Sequence, residues 1–293
     1  MTQYPLPLFP EKPTNVASVP QRSPFRYPGG KTWLIPQIRI WLSSLKDQPQ
    51  LLIEPFAGGG IVGLTAAFEN LVDQVILVEI DDQVAAVWQT ILNTEYGSWL
   101  ADAIMNFPMT SESVNQLLDS SDLSIQEKAL QTIVKNRVNR GGILAKGAGR
   151  VKSGENNRGI QSRWYPTTLC KRILDIVTIK DKFIFVQRDG LEVISEHKNR
   201  QDVVYFIDPP YTAAGKKPGS RLYDHFELDH GALFEKLNTV RGDFLITYDD
   251  SVYIRDLAKK FGFVVKTISM KNTHHAQQTE LLIGRDLHWL SYM

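Results

Sequence analysis

"LLIEPFAGGGIVGLTAAFEN" (residues 51–70) decides the fold. A short apolar run stops at three glycines, and apolar residues then recur at helical spacing from Ile61. The expected order is strand, tight turn, helix. Outward from it the alternation continues. "QVILVEI" (74–80) reads as a second strand, and "DDQVAAVWQTILN" (81–93) as an amphipathic helix opening on acids, which the positive end of the helix dipole favours. The rhythm resumes at "FIFVQ" (183–187), "LEVISEHK" (191–198) and "VVYFI" (203–207). A helix over 229–240, "FLITY" (244–248), a helix over 251–261, "FVVKTISM" (263–270) and "TELLIGR" (279–285) follow. Strand runs apolar on both faces and separated by helices predict an α/β fold: a Rossmann-like, doubly wound, mostly parallel sheet. Only a short loop joins the last two strands, so they are expected to form an antiparallel hairpin at the sheet edge.

Residues 94–172 break the rhythm. They begin helical and then become glycine-rich, basic and irregular, so they are expected to be an inserted, mostly helical region between 23–93 and 173–293. Residues 1–22 are proline-rich and are expected to form a poorly ordered arm. No basic start precedes an apolar core there, so no signal peptide is expected. The chain has 293 residues, 43% of them hydrophobic, enough to bury a large core. Its single cysteine, Cys170, excludes an internal disulfide and a cysteine metal cluster, and points to a reducing cytoplasm. His274 and His275 are adjacent without further ligands at suitable spacing, so no metal is expected. No apolar run nears the roughly 20 residues of a membrane helix. A monomer without a membrane partner is expected. Trp88, Trp99 and Cys170 read as packing residues.

The net charge is only +1, but its distribution is uneven. Residues 135–172 hold ten Lys/Arg and one acid, Glu155; this window is therefore +9 and the rest of the chain, +1 minus +9, is −8. Such asymmetry predicts a nucleic-acid surface on an otherwise neutral protein.

Gly58, Gly60 and Gly63 satisfy G-x-G-x-x-G, and Glu79 ends the second strand where a ribose-binding acid belongs. Glycines let the backbone approach a nucleoside, and the acid accepts from ribose hydroxyls. Both NAD and S-adenosylmethionine satisfy that geometry.

"VVYFIDPPYT" (203–212) separates the two. Asp208 follows a strand, at the carboxyl edge where open α/β sheets bind ligands. Pro209 and Pro210 fix two φ angles and remove two donors, leaving stiff carbonyl acceptors. Tyr211 adds a flat ring. An exocyclic amino group on a nucleobase is a poor nucleophile because its lone pair is delocalised into the ring. The Asp208 carboxylate and the Pro209 carbonyl can grip its N–H bonds and draw the lone pair out, while Tyr211 stacks on the base. A base presented in this way has left the duplex. Positioning and electrostatics then supply the catalysis, with no general base.

The chain resembles the DNA adenine-N6 methyltransferases of the D12 class, with the motif order of the DNA adenine methylases. The matching stretches are "SPFRYPGGK" (23–31), "EPFAGGGIVG" (54–63), "LVEIDD" (77–82), "VKNRVNRGGI" (134–143), "SRWYPTTLCKRI" (162–173) and "YFIDPPY" (205–211). The resemblance implies S-adenosylmethionine as cofactor. It implicates Tyr27, Lys31, Phe56, Ala57, Gly58, Gly60, Glu79, Asp189 and Asp208 in holding it, with Lys31 facing the cofactor's carboxylate and Asp189 its adenine. Tyr27 stands where some members have tryptophan. Asp208, Pro209, Pro210 and Tyr211 carry the catalytic role. The basic insertion takes the place of the target-recognition region: Arg137, Asn139 and Arg140 lie beside the flipped base, and Arg150, Lys152, Arg158 and Arg163 contact DNA. Lys216, Lys217 and Arg221, in a loop after the catalytic turn, are expected near DNA. The partner implied is double-stranded DNA; a paired restriction nuclease stays open.

Overall fold

A computed structural model describes residues 16–27, 29–211, 228–271 and 277–292. Its strands are β1 (Leu51–Glu54), β2 (Gln74–Val78), β3 (Phe183–Val186), β4 (Val203–Ile207), β5 (Phe244–Asp249), β6 (Val264–Lys271) and β7 (Gln277–Gly284). Its helices are α1 (Ile35–Ser44), α2 (Ile61–Phe68), α3 (Asp82–Ile91), α4 (Thr94–Asn106), α5 (Ser111–Asp119), α6 (Ile125–Val138), α7 (Pro166–Thr178), α8 (Gly190–His197), α9 (His230–Thr239) and α10 (Val252–Lys260).

The strands form one seven-stranded sheet in the order β3-β2-β1-β4-β5-β7-β6. β1 to β5 run parallel, and β7 lies antiparallel between β5 and β6. This is the expected doubly wound sheet with its edge hairpin. The hairpin folds back so that its second strand, β7, touches β5 and its first takes the edge. The chain winds outward in both directions from β1 and β4. The crevice at their carboxyl ends is the switch point, where ligands bind in such sheets.

Strand residues alternate between two cores, as a pleat demands. Leu52, Val204 and Phe206 join the core under α1, α2 and α3. Leu51, Ile53, Tyr205 and Ile207 join the core under α8, α9 and α10. Burying each such side chain fully contributes about 1.5–3 kcal/mol.

The insertion does not form a core of its own. α4 packs on α7 and α6 on α3. Leu100, Ile104, Ile133, Leu169 and Ile173 share one core with Val62 and Val87. The boundary expected at residue 172 falls inside α7. Of the expected arm, residues 1–15 lie outside the described residues, and Val16–Ser18 form a 3-10 turn followed by buried Val19. The segment 191–198 is helical within α8, capped by the Asp189 side chain. Lys31–Leu34 form a 3-10 turn, and α1 starts at Ile35, beside Pro36.

Candidate active site

Asp208 follows β4 at the crevice. One of its oxygens, Oδ1, accepts from three donors: Lys31 Nζ at 2.9 Å, the Tyr211 hydroxyl at 2.9 Å and Thr247 Oγ1 at 2.9 Å. Oδ2 has no hydrogen-bond partner among the described residues. Lys31 is buried, 2% exposed, and also donates to the Gly29 carbonyl at 2.7 Å. Its ammonium lies 5.1 Å from the Tyr211 ring centroid and 3.7 Å from Glu280 Oε2 on β7. Burial alone would push Lys31 down, but Asp208, Glu280 and Asp249 outweigh it and its pKa is raised. The Tyr211 hydroxyl also reaches Glu280 Oε2 at 3.3 Å. Burial, then Asp208 and Glu280, push the Tyr211 phenol well up, so it keeps its proton and donates. Its ring packs against Tyr248 at 5.7 Å. Pro209 is buried behind this group.

The glycine turn lies one strand away. Gly60, at φ 60°, precedes α2, and a Cβ there would meet the Trp88 ring at 2.9 Å. Trp88 Nε1 donates to the Gly58 carbonyl at 2.9 Å, so this packing residue also fixes the turn. A Cβ at Gly58, φ 45°, would meet the Tyr27 ring at 2.6 Å. Gly63 is required because a Cβ there would meet Glu54 Oε1 at 2.5 Å and Val75 Cγ1 at 2.7 Å, and its N–H donates to Glu54 Oε1. Glu54 is buried at the end of β1. Burial raises its carboxyl to about 8, against the pull of the Gly63 N–H, and nearby Asp208 adds to the rise. Glu79, half-buried after β2, accepts from Gly58 N (3.0 Å), Ile80 N (2.9 Å) and Asp81 N (3.1 Å). Burial raises its pKa. Phe56 is half-buried and Ala57 buried beside the turn. Asp189 is exposed and caps α8, its Oδ1 accepting from Leu191 N at 2.7 Å.

This donor set fits a nucleoside cofactor: a glycine turn at a helix start, with a half-buried carboxylate that retains acceptor capacity. The Lys31 ammonium sits at the turn after β4, between Asp208 and Glu280.

Arg137 and Asn139, expected beside the base, are buried among the protein's own groups. Arg137 is 5% exposed and its Nη2 donates to the Pro24 carbonyl. Burial, then Arg172 and Arg26, lower its pKa to about 9. Asn139 is 4% exposed and donates to the Ile143 carbonyl at 2.7 Å. Neither faces solvent: Arg137 is tied to residue 24, and Asn139 to the turn after α6. Asn136 accepts from Arg26 N (2.9 Å) and donates to the carbonyls of Arg26 (3.0 Å) and Gly142 (2.7 Å), and Arg172 donates to the Ser23 carbonyl at 3.0 Å. Insertion side chains thus hold the backbone of residues 23–26, the segment that leads into Tyr27 and Lys31. Arg140, Arg150, Lys152 and Arg158 are exposed on the loop after α6, and Arg163 is half-buried. Beside them lies a cavity of about 300 Å³ lined by Asp119, Gln131, Lys135, Lys146 and Arg150. Lys216, Lys217, Arg221, His274 and His275 lie outside the described residues.

Sequence patterns passed over Glu54, Thr247 and Glu280. Glu54 and Glu280 carried a faint signal, each a lone acid in an apolar strand, "LLIE" and "TELLIG". Thr247 carried none. Among the described residues, no group of three or more His, Cys, Asp or Glu could hold a metal ion, and no helix is long and apolar enough to cross a membrane.

A family match identifies the class of protein as a methyltransferase. The profile of one family, the D12 class N6 adenine-specific DNA methyltransferases, matches residues 27–272. The chain belongs to that family, and S-adenosylmethionine is its methyl donor. No curated protein matches it. Several solved structures are weakly similar to it. A proposed RNA methyltransferase of Pyrococcus horikoshii, PH1948, is 13% identical over 89% of this chain and 84% of its own, at a TM-score of 0.38. A Thermoplasma acidophilum protein is 10% identical over 93% of each chain, at 0.37. The rRNA methyltransferase aviRa of Streptomyces viridochromogenes is 11% identical over 86% of this chain and 84% of its own, at 0.37. Likenesses this weak carry no conclusion about the chemistry.

Proposed function

We propose that the protein methylates adenine N6 at specific sites in duplex DNA after flipping the base out of the helix. The observation that carries this reading is the division of labour at Asp208. Three donors saturate Oδ1, so the carboxylate is held still and Oδ2 is left for a substrate N–H. Asp208 Oδ2 and the Pro209 carbonyl grip the amino group and turn its lone pair out of the ring. Tyr211, its hydroxyl tied to Asp208, walls the base pocket. The amino group sheds a proton only after alkylation, so no general base is required. Tyr27, Phe56, Ala57, Gly58, Gly60 and Glu79 hold the cofactor, Glu79 accepting from the ribose; Asp189 borders the adenine from its cap position. When bound, S-adenosylmethionine supplies an electrophilic methyl group.

Residues 94–172 serve target recognition. Arg140, Arg150, Lys152, Arg158 and Arg163 bring positive charge to the DNA backbone, with Lys216 and Lys217 after the catalytic turn. Arg137 and Asn139 act indirectly, by holding residues 23–26 and the turn after α6.

The test is incubation of wild type and Asp208→Ala with duplex DNA and labelled cofactor. Wild type should yield N6-methyladenine and the variant none. Label confined to cytosine N4, or equal labelling by both proteins, would refute the reading. Sequencing methylated DNA from expressing cells would identify the site.

A further inference from the structure

We infer that Glu280 is a positioning residue for methyl transfer, holding Lys31 and Tyr211 against one oxygen of Asp208 so that the other faces the amino group. The inference rests on the role proposed for Asp208 above. β7 pairs with β5 in the register Asp249↔Glu280 and Thr247↔Leu282. Residues opposite each other, and those two apart along a strand, share a face. Thr247 and Glu280 therefore project together toward Asp208. Thr247 reaches Oδ1 directly at 2.9 Å. Glu280 instead reaches both of the other Oδ1 donors, lying 3.3 Å from the Tyr211 hydroxyl and 3.7 Å from Lys31 Nζ.

Two carboxylates pulling on one ammonium fix its place between them. The same pair shares the single hydroxyl hydrogen of Tyr211. Without Glu280 the ammonium is free to tilt, the phenol loses its second anchor, and the Asp208 carboxylate is free to rotate. Glu280 is 6% exposed, so this constraint acts in a dry setting where small displacements matter. The groups facing it are Lys31 from the turn before α1, Asp208 and Tyr211 after β4, and Asp249 on β5. Burial raises its carboxyl to about 7; Lys31 opposes that rise, while Asp208 and Asp249 add to it. The ionised form is the one that holds an ammonium, so the rate should climb with pH through that range.

The experiment is single-turnover methylation of duplex DNA by the full chain. Glu280→Gln should slow the step by about 100-fold. Its affinities for S-adenosylhomocysteine and for DNA should stay within about twofold of wild type. The acid limb expected of wild type near pH 7 should vanish in this variant. Tyr211→Phe cuts the same link from the other side and keeps the test alive if Glu280→Gln does not fold. The double variant should lose no more than the worse single one, because both break one unit. A near-wild-type rate in Glu280→Gln, a retained acid limb, or losses that multiply would overturn the role of Glu280 while an inactive Asp208→Ala left the catalytic turn standing. An active Asp208→Ala would instead overturn the proposed function itself.

Discussion

Glu54→Gln separates a buried proton from a buried charge. The Glu54 side chain is 4% exposed, and its carboxyl is raised from 4.5 to about 8 by burial, with Gly63 N–H working against the shift. A carboxyl with a raised folded pKa holds its proton more tightly in the native state than in the unfolded chain. Stability therefore falls as pH rises from the unfolded value to the folded one, and levels off beyond it. At about 1.4 kcal/mol per tenfold in proton affinity, wild type should lose about 3 kcal/mol between pH ~5.5 and pH ~8.5 from this group alone. Glutamine keeps the shape and an acceptor for Gly63 N–H but does not titrate. The assay is urea unfolding of both proteins at the two pH values, with midpoints compared only where the denaturant slopes agree. Every other titrating group is present in both proteins and cancels in the difference. The variant should gain on wild type by about that margin as pH rises. A stability difference that stays constant across the range would refute the reasoning, because Glu54 would then not be retaining a proton on folding.

Other outcomes follow from single contacts. Gly60→Ala forces a side chain into left-handed backbone and against Trp88; it should lower stability by about 2 kcal/mol, read as a fall in Tm. Asn136→Ala strips three hydrogen bonds from a fully buried site and should cost about 2–4 kcal/mol in urea unfolding. Thr247→Val removes one donor from Asp208 Oδ1 and should lower kcat by about 10-fold with KM unchanged. Lys152→Ala and Arg158→Ala, both at exposed positions, should each flatten the salt dependence of DNA affinity by a slope of about 1.

The parts of the fold legible in the sequence were those set by local chemistry. The strands, the glycine turn and the acid-proline-proline-tyrosine turn follow from periodicity and backbone constraints within a few residues. What escaped were partners brought in by tertiary pairing. Thr247, 39 residues beyond Asp208, reaches it because β5 lies beside β4, and Glu280, 72 residues beyond it, reaches Lys31 and Tyr211 because β7 lies beside β5. Lys31 and Arg137 show the converse. Their residue types suggested ligands, but where each lands is decided by which carboxylates or carbonyls share its burial. The Lys31 ammonium lies beside Asp208 and Glu280, and the Arg137 guanidinium donates to the Pro24 carbonyl. Arg140, Arg150 and Arg158 of the loop after α6 stay exposed, as their charge pattern implied, although Arg140 donates to the Arg150 carbonyl and Arg150 to Asn115 Oδ1.

The grip of Asn136, Arg137 and Arg172 on residues 23–26 bears on how such enzymes can be recombined. The insertion, with the recognition role proposed for it, invites exchange as a cassette, with 94–172 from one protein grafted into another. Here the graft would sever bonds to a segment that continues into Tyr27 at the glycine turn and Lys31 at Asp208. A chimera that moves the insertion alone leaves that segment without its anchors. One that carries residues 23–26 with it keeps the seam closed, so the exchangeable unit is discontinuous and includes a stretch more than a hundred residues upstream of α6's end.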